Sequence, residues 1–125
     1  MREKGFSMKT RRFSYAKLNR AFERRLEELH ARSDSAIGDL RNASDIFARF
    51  GITKVILFGS HAARRARPSS DLDVLVFGMD ERLYFNLKAE LEERLQKEVD
   101  LHSEDERPGL VHRAEMMGIT VYEAQ

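Results

Sequence analysis

Lys54-Val-Ile-Leu-Phe-Gly-Ser60, followed after ten residues by Asp71-Leu-Asp-Val-Leu-Val-Phe77, is the stretch that decides the fold. Residues 54–58 are apolar and partly β-branched, too few for a helix, and bounded by Gly51 and Gly59, so they read as a buried strand. Residues 59–70 are small, basic and polar, which fits a turn and a short helix stopped by Pro68. Residues 71–77 then read as a second strand, closed by Gly78. Side chains alternate across a strand, so Asp71 and Asp73 share one face while Leu72, Val74 and Val76 share the other.

Working outward, Asp80 to Glu98 reads as a helix with Leu83, Leu87, Leu91 and Leu95 inward, and with Glu90–Arg94 and Glu93–Lys97 as i,i+4 pairs outside. Val99-Asp-Leu-His102 is a third short strand, Pro108 to Met117 a helix, and Ile119-Thr-Val-Tyr122 a fourth strand. Before the first strand, Ile37, Leu40, Ala43, Phe47 and Phe50 mark an amphipathic helix, with Ser33, Asp34 or Ser35 as N-cap and Gly51 as the stop. Upstream, Tyr15, Leu18, Phe22, Leu26 and Leu29 recur at steps of three and four, a stripe on a separate helix ending near Arg32. Residues 1–12 lack such a pattern and read as frayed, with Met8 an alternative start. Helix and strand alternate from residue 35 onward, so the class is α/β (α+β) with one mixed sheet of about four short strands. The division expected is residues 1–32 as a basic arm and helix, and residues 33–125 as the functional domain.

The 125 residues suffice for one core. Hydrophobic residues make up 42% and charged residues 34%, which excludes a disordered chain, and no apolar run is long enough for a membrane span or a secretory signal. Cysteine is absent, so thiolate metal sites are excluded and a reducing cytoplasm is the expected location. The net charge of +1 conceals ten Lys/Arg against four Asp/Glu in residues 1–32 and twelve against seventeen in residues 33–125. We read the basic arm as a solvated helix face and expect no nucleic-acid partner.

The chemistry lies in three acids and a turn. Two like charges on one strand face repel unless a cation lies between them, and oxygen ligands without Cys suit magnesium or manganese. Asp100 stands alone between Val99 and Leu101, where a charge is costly unless paired or metal-bound. Together Asp71, Asp73 and Asp100 form a carboxylate set able to hold two metal ions and activate an attacking oxygen, the chemistry of phosphoryl-type transfer. Gly59-Ser60 lies where a strand turns into a helix, presenting backbone N–H groups to a phosphate, with Arg64, Arg65 and Arg67 around the same turn.

Gly59-Ser60, ten residues and Asp71-Leu-Asp73 resemble the signature of polymerase β-like nucleotidyltransferases, and within them the minimal nucleotidyltransferase (MNT) group, whose short chains resemble this one also at Val99-Asp-Leu101 and the final strand. The resemblance spans roughly residues 42–123. It implies a nucleotidyltransferase fold with an added N-terminal helix, Gly59 and Ser60 at the triphosphate, Asp71 and Asp73 as magnesium ligands, and Asp100 as the third acid aiding the attacking hydroxyl. It implies transfer of a nucleoside monophosphate, AMP first among them, from ATP or another NTP to a hydroxyl. The small chain favours a partner protein as acceptor, and the group implies a HEPN toxin as one such partner. Where members carry Gly-Ser-Arg-Ala-Arg-Gly, this chain has Gly59-Ser-His-Ala-Ala-Arg64, so phosphate contacts at 61 and 63 are lost and Arg64, Arg65 or Arg67 substitutes. The alternative is an inactive module that covers a partner or holds a nucleotide.

Other residues receive plainer readings. His102 shares a strand face with Asp100 and could touch the site, but a surface histidine is the reading favoured here. His30 and His112 receive no role, and Met116 and Met117 read as core filler. For the Tyr15–Leu29 stripe, packing back on the domain or pairing with a second copy is favoured over docking another partner.

Overall fold

β1 (Lys54–Phe58) runs through the sheet with Val55, Ile56 and Leu57 all buried, because apolar layers cover it from both sides. The computed structural model describes residues 15–125 in full, and the expectation for residues 1–12 lies outside them. After β1 come α3 (Gly59–Ala62), β2 (Leu72–Phe77), a 3₁₀ turn (Glu81–Leu83), α4 (Tyr84–Leu95), β3 (Val99–Ser103), α5 (Pro108–Met117) and β4 (Ile119–Glu123). The sheet order is β3-β2-β1-β4. β1 is antiparallel to both β2 and β4, while β2 and β3 are parallel and joined by α4, the crossover a parallel pair requires. The sheet is therefore mixed, as expected.

Strand alternation sorts the core into two layers. Val55, Leu57, Leu72, Val74, Val76, Val99 and Leu101 face the layer that includes Leu40, Phe47, Leu87 and Leu91. Ile56 and Leu75 face the other way, against Ala114, Leu110 and Val111 of α5. Three helical segments cover one face of the sheet and a single ten-residue helix lies on the other. Part of that second face stays open.

N-terminal to the sheet, α1 (Arg2–Arg41) is one continuous helix, followed by α2 (Ser44–Arg49). The expected N-cap at residues 33–35 is not formed. No Gly or Pro interrupts there, and Ser33, Ala36, Leu40, Ala43 and Phe47 are buried at helical spacing, so packing carries the helix through. The chain instead turns at residues 42–43, and Gly51, at φ +72°, ends α2 as expected.

α4 is shorter than its pattern indicates, because Asp80 caps the 3₁₀ turn by accepting from the Arg82 backbone N–H and Gln96 takes a left-handed conformation at φ +53°. Leu87 and Leu91 are fully buried, Leu95 partly so, and Leu83 is exposed. The expected pairs within α4 give way to pairs between elements: Glu90 with Arg49 at 2.9 Å, and Arg94 with Asp45 at 2.8 Å, both tying α2 to α4. Met116 and Met117 are exposed rather than core, because the apolar contacts of α5 run through Leu110, Val111 and Ala114.

Candidate active site

β2 and β3 run parallel in a register that sets Asp73 beside Asp100 and Leu75 beside His102. Asp73 has the parity of Leu75, so it emerges on the face that α5 only partly covers. Asp73, Asp100 and His102 each present a ligand atom, and these atoms lie within 4.8 Å of one another. Asp73 is half-buried and Asp100 exposed, so the cluster opens to solvent.

The neighbours define its electrostatics. Burial first, and then the Asp100 charge and a hydrogen bond with Asp100, push the Asp73 carboxyl up to about 6. His102 is subject to burial that disfavours its cation, yet hydrogen bonds to Glu106 and Asp100 outweigh it and raise its affinity for a proton. Its Nε2 lies 3.1 Å from Asp100 Oδ2 and its Nδ1 2.7 Å from Glu106 Oε2, which fixes the ring on both sides. The Phe58 ring, 5.5 Å away between centroids, closes a third side. The surface reading of His102 is corrected here: its side chain is only 19% exposed and belongs to the acidic cluster. The two-residue step from Asp100 was the signal in the sequence.

Phe58 pairs with Asp73 across β1 and β2, so the chain leaves β1 at Gly59 directly against that carboxylate. Gly59 adopts φ +74°, and a Cβ there would overlap Asp73 Oδ2 and come within 2.9 Å of its Cγ. Glycine serves both the conformation and the close approach. Ser60 follows in α3. A cavity of about 660 Å³ opens beside this turn, lined by Phe58, Gly59, Ser60, Arg65, Arg113 and Met117 among others.

The remaining candidates lie at or beyond the edge of this centre. Asp71 falls just before β2; it is exposed and borders a shallow depression with Asp100, Lys88 and Glu98. Arg64 turns back toward Asp34 of α1, 3.7 Å away, and Arg67 borders a groove beside α1. The cations that line the cavity with Gly59 and Ser60 are Arg65 and Arg113. Arg113 carried no signal in the sequence, because α5 reaches the turn only through the fold. His61, where an exposed phosphate contact would be needed, is buried, with its proton affinity lowered by that burial, and its Nδ1 has no partner.

A glycine-serine turn beside paired carboxylates on one sheet face is the arrangement that the resemblance to nucleotidyltransferases implies, and comparison with known proteins shows the family. Residues 41–125 match the family model "Polymerase beta, Nucleotidyltransferase". The chain is 41% identical over 64 residues, 49% of its own length and 69% of the relative's, to "Putative protein adenylyltransferase MJ0435" of Methanocaldococcus jannaschii. A solved "putative minimal nucleotidyltransferase" is 36% identical, with TM-score 0.54 over 75% of this chain and 93% of that one. A chain in the structure of a tri-AMPylated Shewanella oneidensis HEPN toxin in complex with MNT antitoxin matches at TM-score 0.52 and 17% identity, over 70% of this chain and 71% of that one. The protein belongs to the polymerase beta nucleotidyltransferase family and is a nucleotidyltransferase. Among the described residues, no helix is long and apolar enough to cross a membrane.

Proposed function

We propose that this protein transfers AMP from ATP to a hydroxyl of a partner protein. The observation that carries the reading is the register of β2 and β3, which holds the Asp73 and Asp100 carboxylates together beside Gly59 and Ser60. Two carboxylates in contact, one of them with a raised pKa, form a site that gains stability from a cation. Asp73 and Asp100, with His102 beside them and Asp71 at the rim, suit a magnesium or manganese ion. Such an ion, when bound, supplies charge neutralisation for a polyphosphate.

The chain's own residues do the rest. Gly59 lets the backbone approach the phosphates, Ser60 donates its hydroxyl to them, and Arg65 and Arg113 balance their charge from the cavity wall. Asp100 accepts the proton of the attacking hydroxyl. The oxygen of that hydroxyl bonds to the α-phosphorus, the bond from that phosphorus to the bridging oxygen breaks, and pyrophosphate leaves. Glu106 and Asp100 orient His102, which holds the Asp100 carboxylate in place.

The adenylyltransferase name of the Methanocaldococcus relative supports AMP as the group, and the AMPylated HEPN toxin beside an MNT antitoxin supports a toxin as acceptor. The test incubates the protein with α-labelled ATP, magnesium and the product of the adjacent gene. Label on that product, lost with Asp73→Asn, supports the reading. No label on either protein, with undiminished binding between the two, favours a module that acts by covering its partner.

A further inference from the structure

α1 leaves the domain with its apolar stripe uncovered from Tyr15 to Leu26, while Leu29 is partly covered. Tyr15, Leu18 and Phe22 are 64%, 65% and 64% exposed, and Leu26 is 38% exposed, whereas burial in the domain begins at Ser33. The spacing of the stripe is symmetric about its middle residue. From Phe22 the apolar positions fall at four and seven residues in each direction: Leu18 and Tyr15 on one side, Leu26 and Leu29 on the other.

We infer that α1 pairs antiparallel with α1 of a second copy, on a two-fold axis at Phe22. In that register Phe22 meets its own copy, Leu18 meets Leu26, and Tyr15 meets Leu29. Every apolar residue of the stripe then finds an apolar partner, as an isologous interface requires. Leu29 also lines a groove of about 660 Å³ with Ala66 and Pro68, flanked by Arg25 and Arg67. The Tyr15 ring of the second copy falls at this groove, where apolar walls take its face and the arginines suit a cation–π contact.

Five large apolar side chains from each copy bury on the order of 1,000 Å² in total, the lower bound for a specific interface. The two positions numbered 33 would stand about 33 Å apart along the axis.

The test uses the full chain, which has no native cysteine. Sedimentation equilibrium should give twice the 14.5 kDa chain mass at micromolar concentration. Phe22→Asp, which sets two charges against each other on the axis, should weaken the dimer about tenfold or more, with the circular dichroism of the domain unchanged. Oxidised Phe22→Cys should cross-link with itself. Tyr15→Cys and Leu29→Cys should each fail to do so alone and should cross-link when mixed. A chain that stays monomeric up to on the order of 100 µM overturns the inference, even if the stripe captures another protein. Cross-linking of Tyr15→Cys with itself as readily as Phe22→Cys means a parallel pair, and also overturns it.

Discussion

The Asp73 carboxylate occupies the space into which a side chain at Gly59 would project. The turn that closes β1 and the acid on β2 therefore form one unit, each shaped by the other. Gly59→Ala adds a Cβ at φ +74°, which costs about 1 kcal/mol of backbone strain, and drives it into the carboxylate. We expect a folded but less stable protein with nucleotidyl transfer lowered at least about 100-fold. Activity within a factor of about three of wild type would show that the close approach is dispensable.

Asp73→Asn isolates the charge from the shape. The folded carboxyl titrates at about 6 against an ordinary 3.8, so the folded state binds its proton more tightly than the unfolded chain. With chelator present, wild-type stability should fall as pH rises from about 4 to about 6, by roughly 1 kcal/mol once the partial solvation of the group is allowed for. Asp73→Asn should lack that fall and melt at the same or a higher temperature at pH 7. Magnesium with ATP should reverse the ranking, because a ligand of the folded state stabilises only the chain that retains its carboxylate. Marked destabilisation of Asp73→Asn in chelator, with an undiminished ligand-induced shift, would make Asp73 a structural partner instead.

His102 titrates in the opposite sense. Its folded pKa lies above 6.5, so the stability it contributes is present below that value and is lost as pH rises through the folded pKa. Glu106→Gln removes one of the two carboxylates that hold the ring and should lower the His102 pKa. Proton NMR titration of the imidazole reads this directly, and an unmoved midpoint would mean that the 2.7 Å contact does not persist in solution.

Calorimetric titration with magnesium and ATP separates the basic residues near the turn. Ser60→Ala, Arg65→Ala and Arg113→Ala should each weaken binding about three- to tenfold, since each line the cavity beside Gly59. Arg64→Ala should leave affinity unchanged, because that side chain points to Asp34. Equal losses at Arg64 and Arg65 would place the phosphates elsewhere.

Removal of residues 1–32 tests where the functional domain begins. Side chains from Tyr15 to Glu28 are exposed, and the deletion costs the hydrogen bond from Arg32 to the Ala66 carbonyl, about 1 kcal/mol. The remaining chain should melt cooperatively, as a monomer. A truncated chain without dispersed amide signals would mean that the domain extends into the helix.

The four strands, their glycine ends and the class of the protein were legible in the sequence. Period-two alternation is fixed by the stereochemistry of the strand, and the class was legible because the Gly59-Ser60 to Asp71-Leu-Asp73 spacing resembles a family signature. The same alternation put Asp73 and Asp100 each on a definite strand face. Which faces coincide depended on the parallel register of β2 with β3, a relation between residues 27 apart in the chain. That register decided that His102 belongs with the acids and that Asp71, one residue short of the strand, lies at the rim. Packing decided the rest. Helix α1 runs through Ser33, where local capping signals would end it, because a buried face at 33, 36, 40 and 43 outweighs a cap worth about 1 kcal/mol. Arg113 reaches the cavity because α5 crosses the open face of the sheet, and Arg94 and Glu90 find partners on α2 instead of their own helix. Long side chains on a surface choose among several neighbours of similar energy, and only the packed elements determine which neighbours are present.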